Sequence, residues 1–475
     1  MSDTVTSARG QGPLSRAYLQ VTLAVLVLVT IVAFESMAVS TAMPAVAQDL
    51  DAVRSYGFAF SVMLTGQLLG IVLAGVWADR SGPLPGTFVG QALLAGGALT
   101  CGLSTRLDVF LVGRGLTGLG GGLLMVMLYV IAGRVYPSQV RPRLFTYISA
   151  AWVLPALLGP PISAWLTETL SWRWVFWGVV PPVIITMAVL LDAGRRVDTS
   201  RLRMTASARD HAAHVRVAWA GLGIALAAGA LQFGTHDLVL RWSVATAVAV
   251  AGLLGIAAIA PVLVPRGTWR MAPGLPSTVL ARALLCAGFF GGVTFVPLFL
   301  VGQRHASLQL AGLALAVGSI GWAAGAWYQG RRRMTLPRHR LIELGAVLLT
   351  TGLLALSLIA WLDVPGWASV LALLLAGLAM GVGVTTTTIL ALELSPVEQH
   401  GEASSALQLS DVLGSVVGVA AATALFAAFH EPNHDNALFG QIFLGLAVTA
   451  AVALPAGQRI AAGRILPEQS QRVTT

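Results

Sequence analysis

Charged side chains are scarce in this sequence, and lysine is absent from it. Charged residues make up 10% of the 475 residues, whereas soluble domains carry about 25%. Hydrophobic residues make up 56%, and the mean hydropathy is +0.80. A large soluble protein is excluded, because apolar runs of about 18 residues or more recur along the whole chain. The sequence therefore predicts an integral membrane protein.

Cysteine is nearly absent as well. Cys101 and Cys286 both fall inside apolar runs, so the sequence predicts neither a disulfide nor a metal site. No glycine-rich phosphate-binding loop with a lysine occurs, which excludes ATP as the energy source, and we predict no cofactor.

The net charge of +9 could suggest nucleic acid as a partner. That partner is excluded, because the arginines lie in short segments between apolar runs, where they orient a membrane protein.

Apolar segments long enough to cross a membrane follow one another through the chain. Because lipid offers backbone groups no hydrogen-bond partner, such spans must be helices. The polar start of the chain precedes a run too long for a signal peptide, so we expect that run to remain as the first helix. We predict fourteen spans, at residues 18–43, 55–78, 86–105, 108–135, 145–168, 172–194, 217–236, 241–263, 276–303, 308–330, 340–362, 366–392, 403–430 and 437–458.

The arginines indicate how the chain is oriented. If the N-terminus is cytoplasmic, five arginines fall in outer segments and two lie within spans, while all the others fall in inner segments. This asymmetry follows the positive-inside rule. We therefore expect a multi-pass protein of a bacterial inner membrane, with both termini in the cytoplasm. The outer arginines are Arg54, Arg106, Arg173, Arg241 and Arg304.

The longest hydrophilic stretch, residues 195–216, divides the spans into an initial set of six and the rest. The second span of each six-helix set ends in a similar sequence, "GVWADRSG" (75–82) and "GAWYQGRR" (325–332). Two repeated halves would carry such a similarity at equivalent positions. The predicted parts are a cytoplasmic N-terminus (1–17), a six-helix bundle (18–194), a linker with two accessory helices (195–274), a second six-helix bundle (275–462) and a cytoplasmic tail (463–475).

Three motifs stand out in the first half. "GVWADRSGPLPG" (75–86) predicts a tight turn in which Asp79 accepts hydrogen bonds from a helix N-terminus, although a solvated turn would look the same. "LVGRGLTGLGGG" (111–122) places Arg114 within a span beside glycines that permit close helix packing, unless the arginine reaches out to the surface. "LLGPPISAW" (157–165) predicts either a functional kink or an incidental bend.

In this order, the three motifs resemble the major facilitator superfamily. "SWRWVFWGVVPP" (171–182), "FESMAVSTAMPAVAQDL" (34–50) and "GEASSALQLSDVLGSVVGVA" (401–420) resemble its fourteen-helix drug:proton antiporter branch. The resemblance implies an all-α membrane fold of two six-helix bundles with two additional helices between them. It also implies a conformational latch at Gly75, Asp79, Arg80 and Gly82, and an antiporter motif at Gly159, Pro160 and Pro161.

The chain departs from the family pattern at three places. Pro83 and Leu84 stand where the latch motif usually has basic residues. Ser163 and Ala164 replace the two glycines that usually end the antiporter motif. Glu35 replaces an aspartate that is usual in the first helix.

Glu35 is a carboxylate inside an apolar run, where an ionised side chain costs several kcal/mol. Counted from Pro44 it lies roughly 13 Å from the outer end of its helix, and Arg114 lies roughly 9 Å into the fourth helix. In the resembled fold both helices line a central cavity, so we expect the two side chains to face each other. Glu35 would then carry a proton and Arg114 would tune its affinity; the alternative is a static buried ion pair.

By the same arithmetic, Arg282 and Asp411 of the second half lie roughly 9 Å and roughly 12 Å into their helices. In the resembled fold these two helices pack together, so the two side chains are expected to pair. A structural or gating role is favoured, with a substrate-binding role for Asp411 as the alternative. Threonines 385–388 would either offer hydroxyls to a cavity or bond back to their own helix. The residues expected to line the substrate cavity are Phe34, Glu35, Met37, Arg114, Trp152 and Asp411.

The sequence thus predicts a monomeric secondary transporter that is not an enzyme. It would export lipophilic small molecules, including cationic ones, in exchange for protons by alternating access. The alternatives are a lipid or lipid-precursor transporter of the same fold, and a membrane receptor or scaffold that transports nothing.

Overall fold

The computed structural model describes residues 12–15, 18–137, 139–196, 208–236, 242–329, 336–362, 364–396, 399–431 and 434–460. The side chains of some helical residues in these ranges, those of Asp79 and Arg80 among them, lie outside the description. All regular structure in the described ranges is helical, which confirms the predicted all-α fold class.

The chain forms two compact units. The first comprises Met1–Ala42 and Thr65–Leu222, and the second comprises Met43–Leu64 and Gly223–Thr475. The helices that begin in the first half are α1 (Leu19–Asp49), α2 (Tyr56–Ser81), α3 (Pro83–Leu103), α4 (Leu107–Val135), α5 (Arg141–Thr169), α6 (Arg173–Trp177), α7 (Val180–Arg196) and α8 (Ala208–His236).

The helices that follow lie in the second unit, to which the end of α8 also belongs. They are α9 (Trp242–Leu263), α10 (Leu275–Gly302), α11 (Leu308–Gln329), α12 (Arg338–Trp361), α13 (Ala368–Glu393), α14 (His400–Phe429) and α15 (Asn436–Ala451).

Among the described residues, 13 helical segments are long and apolar enough to cross a membrane. A fourteenth apolar stretch, Trp219–Thr235, lies in α8 and is shorter. The protein is therefore a multi-pass membrane protein, with the two accessory helices α8 and α9 between the two predicted sets of six.

The first helix is longer than its sequence suggests. It continues through Pro44 and ends at Asp49, so the predicted end at residue 43 was wrong. A proline removes only one backbone hydrogen bond, and an otherwise apolar membrane helix tolerates this loss. Glu35 consequently lies roughly 21 Å from the end of α1, and the depth of 13 Å estimated from the sequence was too small.

The sixth predicted span is interrupted where a single helix was expected. Residues Arg173–Trp177 and Val180–Arg196 form separate helices around Gly178. Trp172 and Phe176 pack edge-on against each other and against Phe110 of α4. The short helix is therefore anchored by aromatic contacts to the start of α4.

Glycines bring α4 into close contact with its neighbours, as the sequence predicted. A Cβ atom at Gly120 would lie 2.6 Å from the Leu94 amide nitrogen and 2.7 Å from the Gly90 carbonyl oxygen of α3. A Cβ at Gly122 would run into the Gln67 carbonyl of α2. Only hydrogen fits at these points, so the glycines set the position of α4, and with it that of Arg114.

Glycines also allow close helix packing in the second unit. Gly414 and Gly418 of α14 lie against the backbone of Ala283 and Ala287 of α10, so closely that a Cβ atom would clash at either glycine. This contact fixes α14 along α10, and it determines which side chains of the two helices meet.

Residues Met43–Leu64, the end of α1 and the start of α2, group with the second unit. There Tyr56 is buried, and its ring lies 5.7 Å from that of Phe295, which in turn lies 5.5 Å from Phe426. An aromatic column therefore joins the start of α2 to α10 and α14.

We predict that Gly120→Ala destabilises the protein by about 1–3 kcal/mol, because the added methyl group meets backbone atoms that cannot rotate away. Gly133→Ala on the same helix is the matched control, since a Cβ there meets nothing within 4 Å. Thermal unfolding of both variants in detergent checks the prediction. Equal midpoints would show that α4 is not held by this contact.

Candidate functional site

Glu35 of α1 and Arg114 of α4 form an ion pair in the first unit. Nη1 of Arg114 donates a hydrogen bond to Oε1 of Glu35, and each side chain is only 2% exposed. Burying two charges costs several kcal/mol for each ion, and their mutual attraction offsets this only where the geometry is close. The pair is therefore an unusual feature that demands a structural or functional reason.

The start of α1 and the end of α4 are also joined. The Thr22 hydroxyl donates to the Pro13 carbonyl at 2.6 Å, so its oxygen can accept the Tyr136 hydroxyl 2.8 Å away. Burial raises the pKa of Tyr136 to about 12. The Tyr18 ring lies 5.1 Å from that of Tyr136. These contacts help to hold α1 and α4 in register.

Three predicted cavity residues of the first half, Phe34, Met37 and Trp152, are half-buried. Phe34 and Trp152 pack against one hydrophobic cluster. A Cβ at Gly159 of α5 would lie 3.6 Å from the Phe34 ring and 3.7 Å from Ala38. The structure thus brings Phe34 and Trp152 to one cluster, and that these residues line a substrate cavity stays a prediction.

The antiporter motif lies within one continuous helix. Pro155, Pro160 and Pro161 are all inside α5, which runs unbroken from Arg141 to Thr169. The distances at Gly159 are ordinary van der Waals contacts, so this glycine is not required for steric reasons.

The predicted turn in the latch motif was wrong in its extent. Asp79 and Arg80 lie in the last turn of α2, and only Gly82 separates α2 from α3. Gly82 adopts φ 77°, a conformation that favours glycine, and Pro83 restarts the helix with a φ already suited to it. Gly75 faces open space. The side chains of Asp79 and Arg80 are outside the described part, so the predicted latch contacts remain a prediction.

Arg282 and Asp411 form a second ion pair, between α10 and α14. Arg282 donates through Nε to Oδ1 of Asp411 and through Nη2 to Oδ2 at 2.7 Å, a bidentate arrangement. Its remaining nitrogen, Nη1, donates to the Thr388 hydroxyl at 2.6 Å, the Val384 carbonyl at 3.0 Å and the Thr387 hydroxyl at 3.3 Å. Arg282 therefore joins three helices of the second unit.

Two threonines of the 385–388 tract bond back to their own helix, which was one of the two predicted alternatives. Thr387 and Thr388 each donate to the Val384 carbonyl, at 2.8 and 3.1 Å. Their oxygens also accept from Arg282, because a hydroxyl can donate and accept simultaneously. The other alternative, that the hydroxyls face a cavity, stays a prediction.

Sequence reasoning missed the surroundings of the two pairs. The Cys286 thiol lies 3.3 Å from Oδ1 of Asp411, and a Cβ at Gly113, next to Arg114, would lie 2.6 Å from the Cys101 sulfur. Each cysteine of the chain thus lies beside the ion pair of its own half. Cys286 could have been found from its helical spacing of four residues from Arg282, whereas nothing local pointed to Cys101.

We predict that Glu35→Gln lowers stability by about 3–5 kcal/mol, because it removes one charge of a buried ion pair and keeps the other. The double variant Glu35→Gln/Arg114→Gln removes both charges and should recover most of this loss. Thermal unfolding of the two single variants and the double variant gives the coupling between the residues. Strictly additive losses would show that the pair has no energetic coupling.

Comparison with known proteins places the chain in a family. The model of the Major Facilitator Superfamily matches residues 25–419. An uncharacterised MFS-type transporter of Mycobacterium tuberculosis is 27% identical over 412 residues, which cover 84% of this chain and 58% of that relative. The multidrug transporter protein MdtP of Bacillus subtilis is 24% identical over 82% of this chain and 71% of its own length.

Solved structures agree on the fold. A crystal structure of a peptide transporter, POT, in complex with sulfate superposes with a TM-score of 0.67 at 17% identity, covering 92% of this chain and 95% of that one. A D-xylose-proton symporter gives 0.62 at 16% identity, covering 93% and 98%. Because the family model spans most of its length, this chain belongs to the major facilitator superfamily.

Proposed function

We propose that the protein exports lipophilic small molecules, cationic ones among them, in exchange for protons by alternating access. The observation that carries the proposal is the Glu35–Arg114 pair, in which a titratable carboxylate lies buried in a membrane helix against an opposite charge. Ionisable groups at such depth mark proton or substrate pathways in membrane transporters.

A proton changes this pair more than any other small ligand would. Protonation of Glu35 removes the negative charge that contacts Arg114, and losing one charge of a buried pair is unfavourable by several kcal/mol. A conformation that brings water to Arg114 relieves that cost. Loading the proton and changing conformation are thereby linked, as coupled transport requires.

Two observations support a lipophilic substrate. Phe34, Met37 and Trp152 are apolar, half-buried side chains of the first unit, suited to contact with an apolar body of variable shape. The relatives include proteins named as a multidrug transporter in Bacillus subtilis and a probable multidrug-efflux transporter in Mycobacterium tuberculosis. The excess of arginine in the inner segments supports cytoplasmic termini and an inner-membrane location.

The experiment uses the purified protein in vesicles that contain a pH-sensitive dye. With the wild type, addition of ethidium should trigger proton movement in the direction opposite to the substrate. The double variant Glu35→Gln/Arg114→Gln, which is neutral at the pair, should give no proton movement, because no titratable group remains there. Glu35→Asp is the matched control and should retain substrate-triggered proton movement.

Substrate movement that ignores an imposed pH gradient would exclude proton coupling. Movement of a fluorescent phospholipid, with no response to ethidium, would favour a lipid transporter. A wild type that moves neither probe would favour a receptor or scaffold.

A further inference from the structure

We propose that Asp411 binds the positive charge of the transported molecule, and that Arg282 occupies this carboxylate while the site is empty. Arg282 would then act as a resident cation that a substrate ammonium or phosphonium group displaces. The inference rests on the proposed function, since it requires that some substrates are cationic. It assigns substrate recognition to the second unit and leaves the proton to Glu35.

The two ion pairs differ in the exposed fraction of their side chains. Glu35 and Arg114 are each 2% exposed, whereas the Asp411 side chain is 30% exposed and that of Arg282 is 11% exposed. A charged group that meets lipid is strongly unfavourable, so the open part of Asp411 must face water or a ligand. An incoming molecule therefore meets the carboxylate before it meets the guanidinium, which favours a cation over an anion.

Asp411 also has room to accept another donor. An ionised carboxylate offers about four lone-pair sites. Arg282 uses one on each oxygen, and the Cys286 thiol lies 3.3 Å from Oδ1. The second oxygen, Oδ2, receives only the 2.7 Å bond from Arg282 among the contacts described. A substrate cation can therefore begin to bind before Arg282 leaves.

Arg282 has other hydrogen-bond acceptors besides Asp411. Its Nη1 already donates to the Val384 carbonyl and to the hydroxyls of Thr387 and Thr388, which are neutral acceptors on α13. Thr388 is exposed, so water can also reach this side of the guanidinium. Loss of the Asp411 contact thus leaves Arg282 hydrogen-bonded, and the displacement avoids a buried charge without partners.

Aromatic rings cluster further along α10, where Phe289 is buried and Phe290 is half-buried. Phe289 and Phe290 follow Arg282 by seven and eight residues, a spacing that places them on the Arg282 face about two turns along the helix. The Trp322 ring of α11 lies 5.5 Å from Phe289 and 6.4 Å from Phe290. Aromatic faces attract cations and cover apolar substituents. A carboxylate followed by aromatic rings suits a cation with a lipophilic body.

The test measures equilibrium binding of tetraphenylphosphonium to the purified protein in detergent, with neutral triphenylphosphine oxide as the matched probe. Asp411→Asn should weaken phosphonium binding about tenfold or more and leave oxide binding unchanged. Arg282→Gln should strengthen phosphonium binding severalfold, because the competing guanidinium is gone. A static structural pair predicts instead that both variants weaken both probes together, and that result would overturn the proposal.

Thr388→Val provides a variant that keeps both charges of the pair. It removes an alternative acceptor of Arg282, so Arg282 should hold Asp411 more firmly and phosphonium binding should fall severalfold, with oxide binding unchanged. Unchanged phosphonium binding in both Thr388→Val and Asp411→Asn would overturn the proposal. So would an Asp411→Asn variant that binds the cation normally and moves fewer protons, since Asp411 would then be a second proton site.

Failure of the inference can be told apart from failure of the proposed function. The double variant Glu35→Gln/Arg114→Gln should lose proton movement while it keeps phosphonium binding that depends on Asp411. If proton coupling is seen but Asp411→Asn binds the cation normally, only the inference fails. If phosphonium binding depends on Asp411 but the wild type moves no protons, the cation site stands and proton exchange fails.

Discussion

The buried attraction between Glu35 and Arg114 is the constraint on which the first unit depends. Two opposite charges can remain within a membrane helix bundle only when they lie in contact, because each alone would be strongly unfavourable there. Contact requires that α1 and α4 approach at a fixed height. The hydrogen bond between Thr22 and Tyr136 joins the start of α1 to the end of α4, and the close approach of Gly120 to α3 fixes the position of α4.

The second ion pair uses the same chemistry under different conditions. Arg282 has neutral acceptors on α13 in addition to Asp411, and Asp411 is partly open. A closed pair is suited to a ligand as small as a proton, which can travel along water or hydroxyl groups. A partly open pair is suited to a ligand with volume. The difference in exposure therefore separates the two proposed roles more clearly than the identity of the residues does.

Much of the fold could be predicted from the sequence, because hydrophobic length and arginine placement are direct consequences of the bilayer. The residues at which the helices begin and end were harder to predict. Pro44, Gly82 and Gly178 are all residues that usually mark boundaries. Helices do end at Gly82 and Gly178, whereas α1 continues through Pro44. Local residue type gives the tendency to break a helix, whereas packing by the rest of the bundle decides whether the helix breaks.

The charged residues of the site could be predicted from the sequence. The side chains that surround them could not. The expectation that Glu35 faces Arg114 rested partly on a depth estimate that was too small, because the end of α1 had been misplaced. The neutral acceptors of Arg282 could not be ranked from sequence, since a threonine that bonds to its own helix and one that accepts from arginine look the same. Only the distances to Thr387 and Thr388 resolve that question.

Exchange of protons for many different molecules is easier to understand when the two ligands use different carboxylates. Competition for one buried carboxylate would require each substrate to reach a side chain that is 2% exposed, which excludes large molecules of variable shape in this conformation. With separate sites, the coupling lies in the conformational equilibrium, and each ligand must bind the alternative conformations with different affinity. Linkage then makes the effect reciprocal for binding: a proton at Glu35 that lowers cation affinity at Asp411 is itself held less tightly when the cation is bound. Substrate range and proton affinity can thus be set by different residues, Asp411 with its aromatic surroundings for one, and Glu35 with Arg114 for the other.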